Sequence, residues 1–356
     1  MKLKNLLVLA VENENTVYVS NLNRLYTYNI ETNLLKEIYR FNADISTVLS
    51  KFSKIFRRLF RNDIRYAYKI DDENLLAVRS KKIYRINTFS GQIESTIILP
   101  RGSRPLNIIK VEELSGFSDG LYFGEYFSNP TKESVKIFQY LNDRLKEVYV
   151  FPNGELNHIH NLIVDHYRKC IWILTGDFGE GAAIYQATQN FQKVKCIVSG
   201  YQKFRSCVAF PVKEGLVYAT DSQFEQNSIR LLFEDNGEWT TKDLFAINGP
   251  SIFGTKIGEE FFFSTSVEAI NSGNLIKKYF RNSRGPGIIK NQSEIVQGTI
   301  RSGFNVIYSG VKDKLPFVLF QFGNIIFPSG NNTLSKLIFT NIALKNDDFT
   351  TLIFDI

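Results

Sequence analysis

One pattern recurs along the 356-residue chain at a spacing of about 45–50 residues. Each copy is a short apolar strand that ends in a polar or acidic turn, and one or two further apolar strands follow it. The seven copies are Thr16–Ser20, Leu75–Arg79, Gly120–Glu125, Cys170–Asp177, Gly215–Asp221, Glu260–Thr265 and Pro316–Gln321. Repetition at this spacing, with several strands in each unit, is typical of a β-propeller.

The repeat therefore predicts an all-β chain that folds as a single β-propeller domain over residues 1–356. Seven copies favour seven four-stranded blades, with six or eight as alternatives. A large β-sandwich is the competing architecture, but a sandwich has no reason to keep one spacing. Composition agrees with strands, because the chain contains 30 Phe and 17 Tyr but only one Met. The pattern does not show how the propeller closes.

A segment from about residue 44 to residue 65 interrupts the repeat. Its apolar residues recur at helical spacing, at Ile45, Val48, Leu49, Phe52, Ile55, Phe56 and Leu59. Basic residues cover much of the rest, at Lys51, Lys54, Arg57, Arg58, Arg61 and Arg65. This predicts an inserted basic amphipathic helix between the first two blades. It either caps the propeller with a solvated basic face or docks on an anionic membrane surface or a lipid-linked, phosphorylated carrier.

The cysteines, the N-terminus and the net charge indicate the cellular compartment and the class of partner. Cys170, Cys196 and Cys207 lack zinc-site spacing, which predicts reduced thiols and a cytoplasmic protein, peripheral to the inner membrane if the helix docks there. The short apolar N-terminus lacks a cleavage site and predicts a first strand. The net charge of +7 is modest. Nucleic acid is not an expected partner, because the basic residues cluster on one helix without an aromatic-lined groove.

All three histidines, His158, His160 and His166, fall within nine positions. Alternate residues of a strand share a face, so His158 and His160 point the same way, about 7 Å apart. Both imidazoles can then reach one metal ion or one anionic ligand. His166 belongs to the turn that follows this strand and is expected at the opposite end of the blade.

Propeller geometry converts the repeat into a site prediction. The start of a blade's first strand and the end of its second strand open on the same face, because the two strands are antiparallel. One rim is therefore expected to gather Arg101, Arg104, Glu125, His158, His160, Asp177, Gln202, Arg205, Asp221 and Glu268. The alternative is that the acidic residues are ordinary turn residues and that the arginines pair with them structurally.

Several kinds of chemistry suit such a rim. The catalytic candidates are His158, His160, Asp177 and Glu125. The substrate-binding candidates are Arg101, Arg104, Gln202, Arg205, Asp221 and Glu268. His158 and His160 are also the candidate ligands of a divalent metal, Mn, Zn or Ca, that would polarise a uronate carboxyl group. Without a metal, one histidine is a candidate general base, and the carboxylates Glu125 and Asp177 are candidates for glycoside hydrolysis.

The stretch from Gly124-Glu-Tyr through Asn157-His-Ile-His to Thr220-Asp221 resembles bacterial propellers of the sialidase-like, Asp-box (BNR-repeat) superfamily. The Asp-box turn, Ser-x-Asp-x-Gly-x-x-Trp, is eroded in the segments 141–148 and 187–194, which lack its Gly and Trp. The His-x-His strand is also similar to that of oligogalacturonate lyase-like propellers, which bind a metal through histidines. These resemblances imply a carbohydrate ligand more firmly than they imply a reaction.

Together these observations predict a carbohydrate-active enzyme, a lyase or a glycoside hydrolase, that acts on an acidic glycan or sugar in bacterial surface-polysaccharide metabolism. The alternative is a non-catalytic propeller that binds a glycan or scaffolds an assembly. The substrate, the reaction type, the presence of a metal and the oligomeric state stay open at this point.

Overall fold

The structure is a computed structural model that describes residues 1–176, 178–269, 280, 283–330 and 332–356. Within these residues the chain forms 28 strands and three α-helices. The strands make seven four-stranded antiparallel sheets, as the sevenfold repeat predicts. No helix in the described ranges combines the length and the hydropathy that a membrane span requires.

Six blades each use four consecutive strands. Blade 1 comprises β2 (Leu7–Asn13), β3 (Thr16–Asn21), β4 (Arg24–Asn29) and β5 (Leu35–Arg40). Blade 2 comprises β6 (Tyr66–Lys69), β7 (Asn74–Arg79), β8 (Lys82–Asn87) and β9 (Gln92–Ile98). Blade 3 comprises β10 (Ile109–Val111), β11 (Gly120–Gly124), β12 (Val135–Leu141) and β13 (Arg144–Phe151). Blade 4 comprises β14 (Ile159–Asp165), β15 (Cys170–Thr175), β16 (Ile184–Thr188) and β17 (Lys193–Val198). Blade 5 comprises β18 (Ser206–Val212), β19 (Gly215–Thr220), β20 (Asn227–Asp235) and β21 (Glu238–Ile247). Blade 6 comprises β22 (Ser251–Ile257), β23 (Glu260–Thr265), β24 (Gln292–Thr299) and β25 (Gly303–Val311).

The seventh blade takes its outermost strand from the start of the chain. Its strand order is β26 (Asn324–Ile326), β27 (Lys336–Ile342), β28 (Thr350–Asp355) and β1 (Lys2–Lys4). The N-terminal segment, expected as one first strand, forms two strands, β1 and β2, and β1 pairs antiparallel with the last strand of the chain. This pairing answers how the last blade is completed, which the repeat pattern alone left open.

The chain divides into two compact units. Unit 1 comprises residues 1–95, 223–226 and 247–356, and it holds blades 1, 2, 6 and 7. Unit 2 comprises residues 96–222 and 227–246, and it holds blades 3, 4 and 5. Within unit 2 the first strands of consecutive blades, β10, β14 and β18, lie side by side, so the residues that begin these strands are neighbours.

The inner strands of a blade are buried on both faces, and the outer strands are not. Every residue of β15 is buried, whereas exposed and half-buried residues alternate along β9. In unit 2 the blade 4 residues Trp172 and Leu174 share one apolar cluster with Leu216 and Tyr218 of blade 5. A blade is therefore stabilised largely by the neighbour against which it packs.

The seventh repeat copy was assigned wrongly. The segment from Pro316 to Gln321 is not a strand, because Phe317–Phe320 forms a short helix, α3, and the second strand of blade 7 is β27. Phe317 packs in an apolar cluster with Val267, Ala269 and Ile288. A short uninterrupted apolar run is compatible with a buried strand and with a buried helix, so periodicity could not separate the two.

The predicted helical insertion is present as two short helices, α1 (Ile45–Phe52) and α2 (Lys54–Phe60). Asp44 caps α1 through a hydrogen bond from the backbone N–H of Thr47, which is the usual role of an N-cap aspartate. Ser53 is extended between the helices and caps α2 by accepting from the N–H of Ile55. The hydrophobic pattern continues through Ser53, which explains why the sequence indicated one helix.

We expect the substitution Asp165→Ala to lower the free energy of unfolding by about 3 kcal/mol. The Asp165 carboxylate is fully buried and accepts hydrogen bonds from Nε1 of Trp172 at 2.8 Å and from Arg168 at 3.0 Å. The substitution would leave the indole N–H without its acceptor. Urea denaturation measures the effect. The control Asp235→Ala removes an exposed carboxylate and should change stability by less than about 0.5 kcal/mol; equal losses would contradict the assignment.

Candidate functional site

The two predicted histidines lie together at the start of blade 4. Their Nε2 atoms are 3.0 Å apart and their ring centroids are 4.9 Å apart. His160 is buried and His158 is half-buried. Pairing between β14 and β15 shifts register between Ile159 and Asn161, so His160 is the extra residue of a β-bulge. Such bulges commonly re-aim a side chain at a functional site.

Hydrogen bonding determines the tautomers of the pair. Nδ1 of His160 lies 2.9 Å from the carbonyl oxygen of Ser206. A carbonyl oxygen only accepts, so Nδ1 of His160 carries the proton. In neutral His160 the Nε2 atom is then an acceptor, and Nε2–H of His158 is the donor to it. His160 thus orients His158, and the backbone of blade 5 orients His160.

The glycine in the motif Thr175-Gly176-Asp177 is required by this arrangement. A side-chain carbon at Gly176 would overlap the imidazole ring of His160. The carbonyl oxygen of Gly181 accepts a hydrogen bond from the hydroxyl of Thr175 at 2.8 Å. The motif therefore has a structural reason beyond turn formation, namely the space that His160 occupies. Asp177, which was predicted to be catalytic, lies outside the described residues.

The predicted acidic residues that are described in unit 2 are engaged in ion pairs. Glu125 is only 4% exposed; it accepts from Nε of Arg101 at 2.9 Å, from a second Arg101 nitrogen, and from the backbone N–H of Lys136 at 2.8 Å. Asp221 and Arg205 are both buried and lie 3.2 Å apart. These contacts match the alternative in which the arginines and carboxylates pair structurally.

The remaining predicted residues lie in different surroundings. Arg104 and Gln202 are half-buried in unit 2, and the side-chain oxygen of Gln202 accepts from Ser222 at 3.2 Å. Glu268 belongs to unit 1, is buried, and accepts a hydrogen bond from Ser266 at 2.7 Å. His166 is exposed in the turn between β14 and β15, as expected from the register.

Sequence reasoning missed two residues of this cluster. The ring of Tyr126 meets the ring of His158 edge-on, with centroids 4.7 Å apart. The thiol of Cys207 lies 3.4 Å from a carboxylate oxygen of Asp221, and Cys207 occupies a β-bulge at the start of β18 like that of His160 in β14. Tyr126 directly follows Glu125 in the repeat, so its position along the chain was an available signal for it.

Burial controls the charge of the cluster. It lowers the pKa of His160 well below the usual value, and the neighbouring His158 and the Arg205 guanidinium lower it further. His160 is therefore neutral at physiological pH, with its Nε2 lone pair directed toward His158.

The cluster contains side chains that could bind a metal ion, but it also contains an arginine that pairs with one of them. Ligand atoms of His160, Cys207 and Asp221 lie within 4.8 Å of one another, and the Nε2 atoms of His158 and His160 are close enough to share an ion once the proton between them is displaced. The Ser206 carbonyl orients His160 as second-layer partners orient metal-binding histidines. However, Arg205 already neutralises the Asp221 carboxylate, and its positive charge disfavours a cation nearby.

We expect the free energy of unfolding to fall as the pH is lowered below about 6.5, the ordinary histidine pKa. The pKa of His160 is depressed in the folded state, so the unfolded chain takes up this proton first. Stability from this group is then lost from the unfolded-state pKa down to the folded-state pKa, with a slope of at most about 1.4 kcal/mol per pH unit.

Urea titrations at a series of pH values from about 7.5 to about 5 measure this dependence, because this range spans the ordinary histidine pKa. His160→Asn keeps a donor for the Ser206 carbonyl and should flatten the dependence. The exposed His166 provides the control, because His166→Asn should leave the slope unchanged. An unchanged slope in His160→Asn would contradict the assigned neutrality of His160.

Comparisons with known proteins concern the fold alone. No protein-family model matches this chain, and no curated protein matches it in sequence. Solved structures do match. The WD40 β-propeller domain of Doa1 has a TM-score of 0.56 at 11% identity, covering 100% of this chain and 95% of that one. A chain from the crystal structure of the mitotic checkpoint complex has a TM-score of 0.55 at 10% identity, covering 100% and 93%.

A third similar structure is the Cps50 (Swd1) β-propeller domain of Myceliophteria thermophila, with a TM-score of 0.54 at 7% identity, covering 98% of this chain and 96% of that one. One of these three structures is a WD40 propeller, and the comparisons do not support the Asp-box resemblance or its link to glycans. The likeness over the whole chain, together with the seven four-stranded sheets, shows that this protein has the β-propeller fold.

Proposed function

We propose that this protein is a non-catalytic propeller that binds a ligand or scaffolds an assembly. The observation that carries the proposal is the engagement of Glu125, which is buried and held by Arg101 and by the backbone N–H of Lys136. A general acid or nucleophile must reach the substrate. A carboxylate whose oxygens are already saturated with donors is suited to holding the loop of Arg101 in place.

The comparisons support the same direction. Similar propellers include a WD40 domain and a chain from a multiprotein complex. Proteins below 25% identity share only a fold with this chain, and a fold alone does not define an activity. One of these propellers belongs to a multiprotein complex, so the architecture is compatible with a binding role.

The ligand class that we propose is an acidic glycan or sugar. The residues that we propose at the binding site are Arg104, Tyr126 and His158, which are half-buried in unit 2. Arginine binds a carboxylate with two parallel hydrogen bonds. A tyrosine ring adds an apolar face to a polar site. The buried His160 would keep His158 oriented through the hydrogen bond between their Nε2 atoms.

The second candidate is a metal-assisted lyase, and the His158–His160 pair is the observation that favours it. Two Nε2 atoms 3.0 Å apart could bind a manganese or zinc ion, which would polarise a uronate carboxyl group. The two proposals differ in what they require of oligogalacturonate: the first requires binding without cleavage, and the second requires cleavage that depends on His158 and on a metal.

Binding of an oligogalacturonate to the full chain, with and without manganese, tests the proposal. We expect saturable binding and no shortened or unsaturated product by mass spectrometry. The double variant Arg104→Ala and His158→Ala should weaken binding at least about tenfold, because a charge-assisted hydrogen bond contributes about 1.5–3 kcal/mol.

Arg144→Ala is the matched control, since Arg144 is exposed on β13 of the same unit and should leave binding unchanged. Manganese-dependent product formation that disappears in His158→Ala would replace the proposal with the lyase. Absence of binding to the oligogalacturonate would overturn the ligand class.

A further inference from the structure

The helical insertion exposes the apolar residues that its sequence pattern would normally bury. Ile45 and Phe52 of α1 are 81% and 82% exposed. Six more large apolar side chains of the two helices are also exposed, namely Val48, Leu49, Ile55, Phe56, Leu59 and Phe60. We call these eight residues the apolar face. An amphipathic helix on a globular domain usually turns such a face to the core, so this orientation requires an explanation.

The explanation lies in two arginines that anchor α2 in the opposite orientation. Arg57 is buried; its guanidinium lies 2.6 Å from the Asp63 carboxylate and 4.2 Å from the centre of the Phe349 ring. Arg58 is buried as well, where it pairs with Asp313 and donates to the carbonyl oxygen of Phe320 at 2.7 Å. A buried charge deprived of its partner is costly.

The pairing beneath Arg58 is part of a larger buried network. Asp313 also accepts from Lys312 at 2.6 Å. Burial tends to raise the pKa of Asp313, but hydrogen bonds from Arg58 and Lys312 outweigh it and lower the pKa. Because Arg58 is held in this network, α2 cannot roll to bury its apolar residues without breaking ion pairs. The exposed orientation is therefore built into unit 1.

The charged side chains within the two helices have a single sign, and one exposed carboxylate, that of Asp44, caps α1 before Ile45. The sequence from Ile45 to Arg61 contains no Asp or Glu. Lys51 in the last turn of α1 and Lys54 at the start of α2 are both exposed. Beside them a cavity of about 370 Å³ is lined by Asn5, Asn21, Ser50, Lys51, Ser53 and Lys54. This recess has mostly polar walls and borders Phe52, which also lines it.

We propose that the apolar face is a docking site for an anionic lipid bilayer. Exposed aromatic and aliphatic side chains with lysines at their border and no carboxylate among them match the interfacial zone of a membrane, where apolar groups enter the acyl boundary and lysines meet acidic headgroups. Phe52 and Ile45 are the most exposed and would insert furthest. Lys51, next to the cavity, would contact a headgroup phosphate or carboxylate.

A second copy of this chain is a poorer occupant of the face. An isologous dimer places the same patch on both subunits, which would bring the lysines of both copies together with only the Asp44 carboxylate at the start of α1 to offset them. A bilayer that contains acidic lipids supplies that negative charge. The proposal does not depend on the ligand-binding function of unit 2 and can fail or hold separately from it.

Co-sedimentation of the full chain with vesicles tests the proposal. We expect binding to phosphatidylcholine vesicles that contain about one third phosphatidylserine, and much weaker binding to pure phosphatidylcholine. The double variant Ile45→Ser and Phe52→Ser should weaken binding at least about tenfold, because it removes the apolar surface that these two side chains would bury in the bilayer. Neither residue is buried, so the fold should persist, which circular dichroism and the urea midpoint verify.

Matched controls distinguish binding through the apolar face from non-specific adsorption to vesicles. Phe89→Ser removes a similarly exposed phenylalanine, 74% exposed, in the turn between β8 and β9, and should bind like the unaltered protein. Lys51→Glu should weaken binding to the phosphatidylserine vesicles, whereas the exposed Lys195→Glu should reduce it less.

Three outcomes would overturn the proposal. One is no binding to the phosphatidylserine vesicles. Another is binding that Phe89→Ser reduces as much as the Ile45 and Phe52 double variant does. The third is concentration-dependent dimerisation that the double variant abolishes, together with vesicle binding that it does not change. Dimerisation of this kind would assign the apolar face to a second copy of the chain.

Discussion

The packing of one blade against the next is the interaction on which the rest of this structure depends. Inner strands such as β15 are buried on both faces, so a single blade exposes too much apolar surface to be stable alone. The repeat follows from this requirement, because every blade must present similar apolar strands to its neighbour. Where adjacent blades meet in unit 2, Trp172 and Tyr218 belong to the same cluster.

The same packing explains why the polar residues at the start of the blades are mostly paired. First strands lie side by side in unit 2, so a charged side chain there is close to other side chains and partly withdrawn from water. Burial of a charge is tolerated when an opposite charge and hydrogen bonds compensate it. Arg205 with Asp221, and Arg101 with Glu125, meet this condition. His160 meets it differently, by remaining neutral.

The helical insertion shows the opposite compromise. Arg57 and Arg58 enter the interior of unit 1 and find partners there, whereas the phenylalanines and isoleucines of α1 and α2 stay outside. A hydrophobic pattern predicts which residues share a helix face, but it cannot say which face meets the domain. That choice depends on partners distant along the chain, since Asp313 and Asp348 lie more than 250 residues from Arg58.

Strand periodicity and repeat spacing are local properties of the chain, so they predicted the propeller, favoured seven blades over six or eight, and placed His158 and His160 close together. It could not identify the helix at Phe317–Phe320 or the pairing of β1 with β28, since a short apolar run has no distinctive period and strand partners are chosen across the whole chain. The state of the polar residues follows from tertiary packing. The engagement of Glu125, the neutrality of His160 and the exposure of Phe52 each depend on burial and on contacts between distant segments, which have no signature in the order of the residues.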